Sequence, residues 1–304
     1  MRGEIRGQRS EVRGQTAGPR NTQYATRPSA RAFTMIEIAL SLAIIGFAMV
    51  AIIGVLPLGM KTQQVNREET VINQDASVWI NAIRNGAKGL DDLTNYVLAI
   101  TNSVTPYGAN GLPAGPTDVY TYTYYDSTVN GAALSPPFPL TNGLRIVGLL
   151  STPKYFFPPG TNLTTVNYFS NQIVAYVRSM SGPAHEKYPQ DNASVQDLGF
   201  NYRLTSEVVP YWTNYFDPSW TDYNAYPTNT PEHTARYVYA MTARNLQANL
   251  HDVRLLFRWP LRSQGQLGKG GQAFRTLVGG QLLLTNDVGH PLFFFEPRTY
   301  VNAP

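Results

Sequence analysis

Ala32-Phe33-Thr34-Met35-Ile36-Glu37, with the apolar run from Ile38 to Met60 behind it, is the stretch that decides how the rest of the chain is read. The run holds 23 residues without a charge, and Ser41 is its only hydroxyl. At about 1.5 Å per residue a helix of that length reaches roughly 34 Å, enough to cross a hydrocarbon core of about 30 Å. The hydrophobic core of a secretory signal peptide is shorter, about 7 to 15 residues, so that reading fails on length. A plain signal anchor remains open. Against it stands Glu37, a carboxylate at the upstream edge of an otherwise uncharged span, where isolation from a partner costs about 3 kcal/mol. Locally, Thr34-Met35-Ile36-Glu37 fits the S/T-x-x-E capping box, with Thr34 as N-cap and Glu37 closing the first turn.

Upstream, residues 1–32 form a basic leader. They carry seven of the 24 basic residues, all Arg, and only Glu4 and Glu11 of the 20 acidic ones. That leaves 17 basic and 18 acidic residues after Ala32, so the net charge of +4 belongs to the leader. The remainder is near neutral, which argues against nucleic acid as a partner and against a basic DNA-uptake surface. Arg ahead of an apolar helix keeps that end cytoplasmic. No adjacent Arg pair is present, so a twin-arginine export signal is unsupported.

Together, Ala32, Phe33 and Glu37 resemble the prepilin processing motif of the type IV pilin and type II secretion pseudopilin family. In that family a small residue, usually Gly, precedes the cut, Phe follows it, and Glu is the fifth mature residue. Ala32 stands where Gly is usual, and Pro57 lies a few residues beyond the usual late proline. The resemblance covers about 60 residues. It implies cleavage by a prepilin peptidase after Ala32 and N-methylation of Phe33. It further implies a single pass through the bacterial cytoplasmic membrane, with the C-terminal part outside the cytoplasm. The expected partners are membrane lipid and other pilin or pseudopilin subunits, met through the N-terminal helix, with Glu37 pairing with a neighbouring subunit's N-terminal amine. The mature length after such a cut, 272 residues, points to a minor rather than a major subunit.

Beyond Met60 the helical pattern persists. Val65, Ile72, Ala76, Trp79, Ile83 and Leu90 recur at spacings of 3, 4 and 7, and Gln63, Arg67, Glu68, Asn73, Asp75 and Arg84 fill the other face. Gly86 and Gly89 are stop signals. One helix from about Thr34 to about Gly86 is predicted, weakened near Gly54 and Pro57; separate anchor and packing helices are the alternative. The domain plan is a leader at 1–32, a membrane half of the helix at 33–60, a soluble amphipathic half at 61–94 and a β-rich head at 95–304.

The head is rich in Tyr, Thr, Asn, Pro and Gly. Strands are expected at Val119–Tyr125, Leu144–Leu150, Gln172–Arg178, Phe200–Leu204, Tyr237–Ala243, Val253–Trp259, Phe274–Val278 and Leu292–Phe295. Val253, Leu255, Phe257 and Trp259 share one face, opposite Asp252, Arg254 and Arg258, the mark of a half-buried strand. The Gly/Gln-rich stretch Ser263–Gly271 reads as a loop joining Val253–Trp259 to Phe274–Val278, so that these two strands make a hairpin. The fold class is therefore α+β: a long N-terminal helix followed by a mainly antiparallel sheet, as in the pilin fold.

Catalytic patterns are missing from the sequence, and no enzymatic activity or cofactor is expected. There is no Cys, so disulfides and thiolate chemistry are excluded. His185, His233, His251 and His290 are scattered and read as surface or loop residues. Gly268-Lys269-Gly270-Gly271 lacks the Ser or Thr a Walker motif needs after Lys. Asp217, Asp222 and Asn224 are candidate oxygen ligands for Ca²⁺, at a spacing that fits no known loop. Tyr211-Trp212, Tyr215-Phe216, Trp220, Tyr223 and Tyr226 crowd one Pro-broken stretch, either as recognition anchors or as packing over a sheet edge. The rival to a filament subunit is thus a membrane-anchored periplasmic enzyme or glycan-binding protein.

Overall fold

The computed structural model describes residues 33–86, 91–108, 110–156, 168–181, 200–211, 220, 222–262 and 265–301. Ala32, Leu90, Gly89, His185, Asp217, Trp212, Tyr215 and Phe216 lie outside them. The chain divides into two compact units, Met1–Lys61 and Thr62–Pro304. Helix α1 runs from Met35 to Asn85 with Pro57 inside it. Gly86 follows at φ +60°, the left-handed C′ position where a glycine ends a helix without a Cβ penalty.

Within the second unit, α1 buries Ile72, Ala76, Trp79 and Ile83, the expected 3/4-spaced stripe, while Val65 is 44 % exposed and lies off it. Asp75, read as part of the solvated face, is instead fully buried. Its carboxylate accepts from the backbone N–H groups of Met180 and Ser181, both at 2.9 Å. Trp79 Nε1 donates to the Tyr202 hydroxyl at 2.9 Å, and Tyr202 in turn hydrogen-bonds Asp75. Burial pushes the Asp75 carboxyl above its ordinary range, and these donors only partly offset it. A helix charge thereby becomes an internal cap for the chain leaving the sheet.

The sheet is antiparallel throughout. Its strands are β1 (Val97–Tyr107), β2 (Asp118–Tyr122), β3 (Ser127–Val129), β4 (Ala132–Ala133), β5 (Tyr155–Phe156), β6 (Tyr168–Arg178), β7 (Asn201–Pro210), β8 (Leu250–Leu261) and β9 (Leu267–Gly279). They lie in the order β4-β3-β2-β1-β6-β7-β8-β9, with β5 paired to β6. Val253, Leu255, Phe257 and Trp259 of β8 are buried as a set, as the alternation requires, and join Tyr202, Leu204, Ile173 and the helix stripe in one core. Asp252 departs from the solvated reading: it is buried and bridges Arg254 at 2.7 Å and Arg275 at 2.8 Å.

Two expected strands are helices. Leu144–Leu150 lies in α2 (Gly143–Leu150), where the Asn142 side chain accepts from Arg145 N–H at 2.9 Å as an N-cap. Tyr237–Ala243 lies in α3 (Pro231–Asn249), capped by Thr230, with Pro231 and Glu232 in its first turn. In both, the cap beside the run marks the helix start, and a short apolar segment does not separate strand from buried helix by period alone. The stretch read as a Gly-rich loop is mostly strand. Gly268, Gly270 and Gly271 belong to β9 because Pro260, Trp259 and Arg258 of β8 press against their backbone. The β8–β9 hairpin itself forms as expected. A further hairpin, β10 (Gln281–Asp287) with β11 (His290–Glu296), closes through Val288 and Gly289, both at positive φ as a type I′ turn demands. Arg145 of α2 ties it down through Asp287 at 2.7 Å.

Candidate functional site

The N-terminal segment is built by its own first turn. Glu37 N–H donates to Thr34 Oγ1 at 3.3 Å, while Thr34 N–H and Oγ1 both donate to Glu37 Oε2 at 2.9 Å. This is the reciprocal capping box the spacing predicts. Both bonds from Thr34 land on the same carboxylate oxygen. Among the described residues, no ion pair neutralises Glu37. The first cation that follows it along the chain is Lys61.

Beyond the first turn the helix surface is apolar up to Met60, with Ser41 its only hydroxyl. Phe33 is 79 % exposed, and the apolar side chains from Met35 to Met60 are exposed in all directions around the helix. A core helix of a soluble domain buries one stripe; among the described residues this span buries none. It is also the one helix among the described residues long and apolar enough to cross a membrane.

Other sequence candidates have structural employment. Trp220 packs against Tyr239 with ring centroids 5.8 Å apart, and Arg236 lies over both Trp220 and Tyr226. Tyr223 stands edge-on to His233 and Tyr237. Trp220, Tyr223 and Tyr226 are thus laid on α3, while Tyr211 N–H donates to the Leu250 carbonyl at 3.0 Å. His251 is buried in β8 rather than on a surface, and His290 hydrogen-bonds the Pro136 carbonyl. Among the described residues no three His, Asp or Glu side chains gather into a metal-binding group.

No family model, curated protein or solved structure matches this chain.

Proposed function

We propose that the chain is a pilin-like subunit, a minor one, of a type IV pilus or type II secretion pseudopilus. It is inserted in the cytoplasmic membrane, cut between Ala32 and Phe33 by a prepilin peptidase and methylated at Phe33. The observation that carries the reading is the isolated Glu37 at the head of a helix whose apolar surface is uncovered on all sides. In a single anchor the carboxylate serves only the first turn, whereas helices packed side by side give its charge a partner: each new N-terminal amine meets the carboxylate of its neighbour. Cleavage leaves the Thr34 amide in place, so the capping box survives it and orients Glu37 for the pair. The role is mechanical and associative, not catalytic. The rival is a signal-anchored periplasmic protein, favoured by the capping box alone, which gives Glu37 a purely local task.

The test is intact mass and N-terminal sequencing of membrane-extracted protein, made with and without a co-expressed prepilin peptidase. A chain beginning with N-methylated Phe33, seen only with the peptidase, is expected. An uncut chain, or a cut elsewhere, returns Glu37 to a helix cap.

A further inference from the structure

Two arginines stand side by side on the sheet face turned away from the core. Arg203 of β7 lies between the buried Tyr202 and Leu204, and Arg258 of β8 between the buried Phe257 and Trp259, so alternation turns both outward. They are directly opposed across the two strands, in a row that runs from Tyr176 of β6 to Gly271 of β9. Opposed residues have Cα atoms about 5 Å apart, and like charges so placed destabilise a sheet. Gly271 makes room for this arrangement: Arg258 lies across it, with Nη1 3.5 Å from where a Cβ would stand. Each arginine has its Nε sealed from solvent without an acceptor, while its Nη groups stay open to solvent. Among the described residues neither guanidinium is in an ion pair.

The carboxylates that could neutralise them are engaged elsewhere. Strands β6 to β9 carry Arg178, Arg203, Arg254, Arg258, Lys269 and Arg275 against Glu207 and Asp252 alone. Asp252 holds Arg254 and Arg275, and Glu207 holds Lys154 at 3.0 Å. We propose that this face docks an acidic segment of a protein partner, whose carboxylates meet the Nη groups of Arg203 and Arg258. A guanidinium fork matches a carboxylate with two parallel hydrogen bonds, and a carboxylate between the two arginines relieves their repulsion. Leu256 and Leu277, 41 % and 44 % exposed, lie on the same face among the cations. A protein surface covers such side chains, whereas a phosphate backbone or a headgroup layer answers the charge alone. The inference rests on the head alone and goes beyond the assembly role.

It is tested on the full chain in a neutral detergent, with a hexaglutamate peptide carrying a photoreactive group and with crosslinks located by mass spectrometry. Location separates capture at β6–β9 from capture by the Arg-rich residues 1–32. Crosslinks on β6–β9 are expected, and none there from hexalysine. Arg203→Gln with Arg258→Gln should weaken capture at β6–β9 about ten-fold, and Arg258→Lys, which keeps the charge and loses the fork, by less. Arg298→Gln, which removes an equal charge from an exposed position beyond β11, should leave it unchanged. Arg203→Gln alone should melt no lower than the parent, since it removes one of two opposed cations. Crosslinks confined to residues 1–32 overturn the inference, as does capture that survives in all the arginine variants or falls equally in Arg298→Gln. Displacement of the peptide by oligothymidylate or by phosphatidylglycerol vesicles, at concentrations where unlabelled hexaglutamate does not compete, also overturns it and assigns the face to phosphate.

Discussion

His251 sits on β8 with its ring edge-on to Phe295, centroids 5.3 Å apart, and its Nδ1 has no hydrogen-bond partner. Burial lowers its pKa from 6.5 to about 4, so the folded protein holds this ring neutral where the unfolded chain protonates it. Between those two values the unfolded state binds more protons, and stability falls as the pH falls through that window. The full loss is about 3 kcal/mol. Asp75 acts in the opposite sense: its raised pKa makes the folded state the better proton binder in the acid range. Asp252 is pushed up by burial but pulled further down by Arg275 and Arg254, so its contribution is lost only below about 3.8. His251→Phe isolates the histidine. Denaturant unfolding at pH 7, 5.5 and 4 should show the variant gaining on the parent by about 3 kcal/mol toward pH 4. Parallel pH profiles for the two proteins would remove His251 from the account.

At the scale of elements, the β8–β9 hairpin turns on one cross-strand pair. Trp259 lies opposite Gly270, and a Cβ at Gly270 would stand 2.5 Å from the indole ring. The buried Trp259 ring has no room to retreat, so Gly270→Val should cost about 2–3 kcal/mol despite the better strand propensity of Val. At Gly271 the nearest atom is Arg258 Cδ at 3.1 Å, on a flexible side chain. Gly271→Ala should stay within about 1 kcal/mol. Thermal melts of both variants check the ranking, and equal losses would refute the packing explanation. The same pair marks the limit of what could be read from residues alone. The period of Val253, Leu255, Phe257 and Trp259 revealed a half-buried strand, because exposure alternates along the chain itself. The glycines opposite were read as a loop because their reason is a neighbour across the sheet, invisible in local sequence. For α2 and α3 the local signals are the caps Asn142 and Thr230, while the apolar runs behind them are too short for their period to separate strand from buried helix. Arg203 and Arg258 are not legible as a pair: they lie far apart along the chain, and only the register of β7 against β8 makes them neighbours.

For the whole molecule, one charge is decisive, that of Glu37. The first turn is readable from four residues, since a capping box is purely local, and the apolar span from its length; the assembly role proposed for Glu37 is not local. Two roles compete for this carboxylate, and they respond differently to substitution. A cap needs an acceptor at the third helical position, which Gln supplies as well as Glu. A pair with a neighbour's amine needs the charge, because an amide oxygen does not neutralise an ammonium in a low-dielectric surrounding. Glu37→Gln should therefore keep the helix start, insertion and cleavage before Phe33, yet lose assembly into filaments. Glu37→Leu should lose the cap as well and assemble no better. Both are read together by counting filaments sheared from cells and by the mass of the membrane-held protein. If Glu37→Gln assembles like the parent while Glu37→Leu does not, the carboxylate serves the first turn of α1, and assembly has to rest on the apolar helix surface without a charge pair.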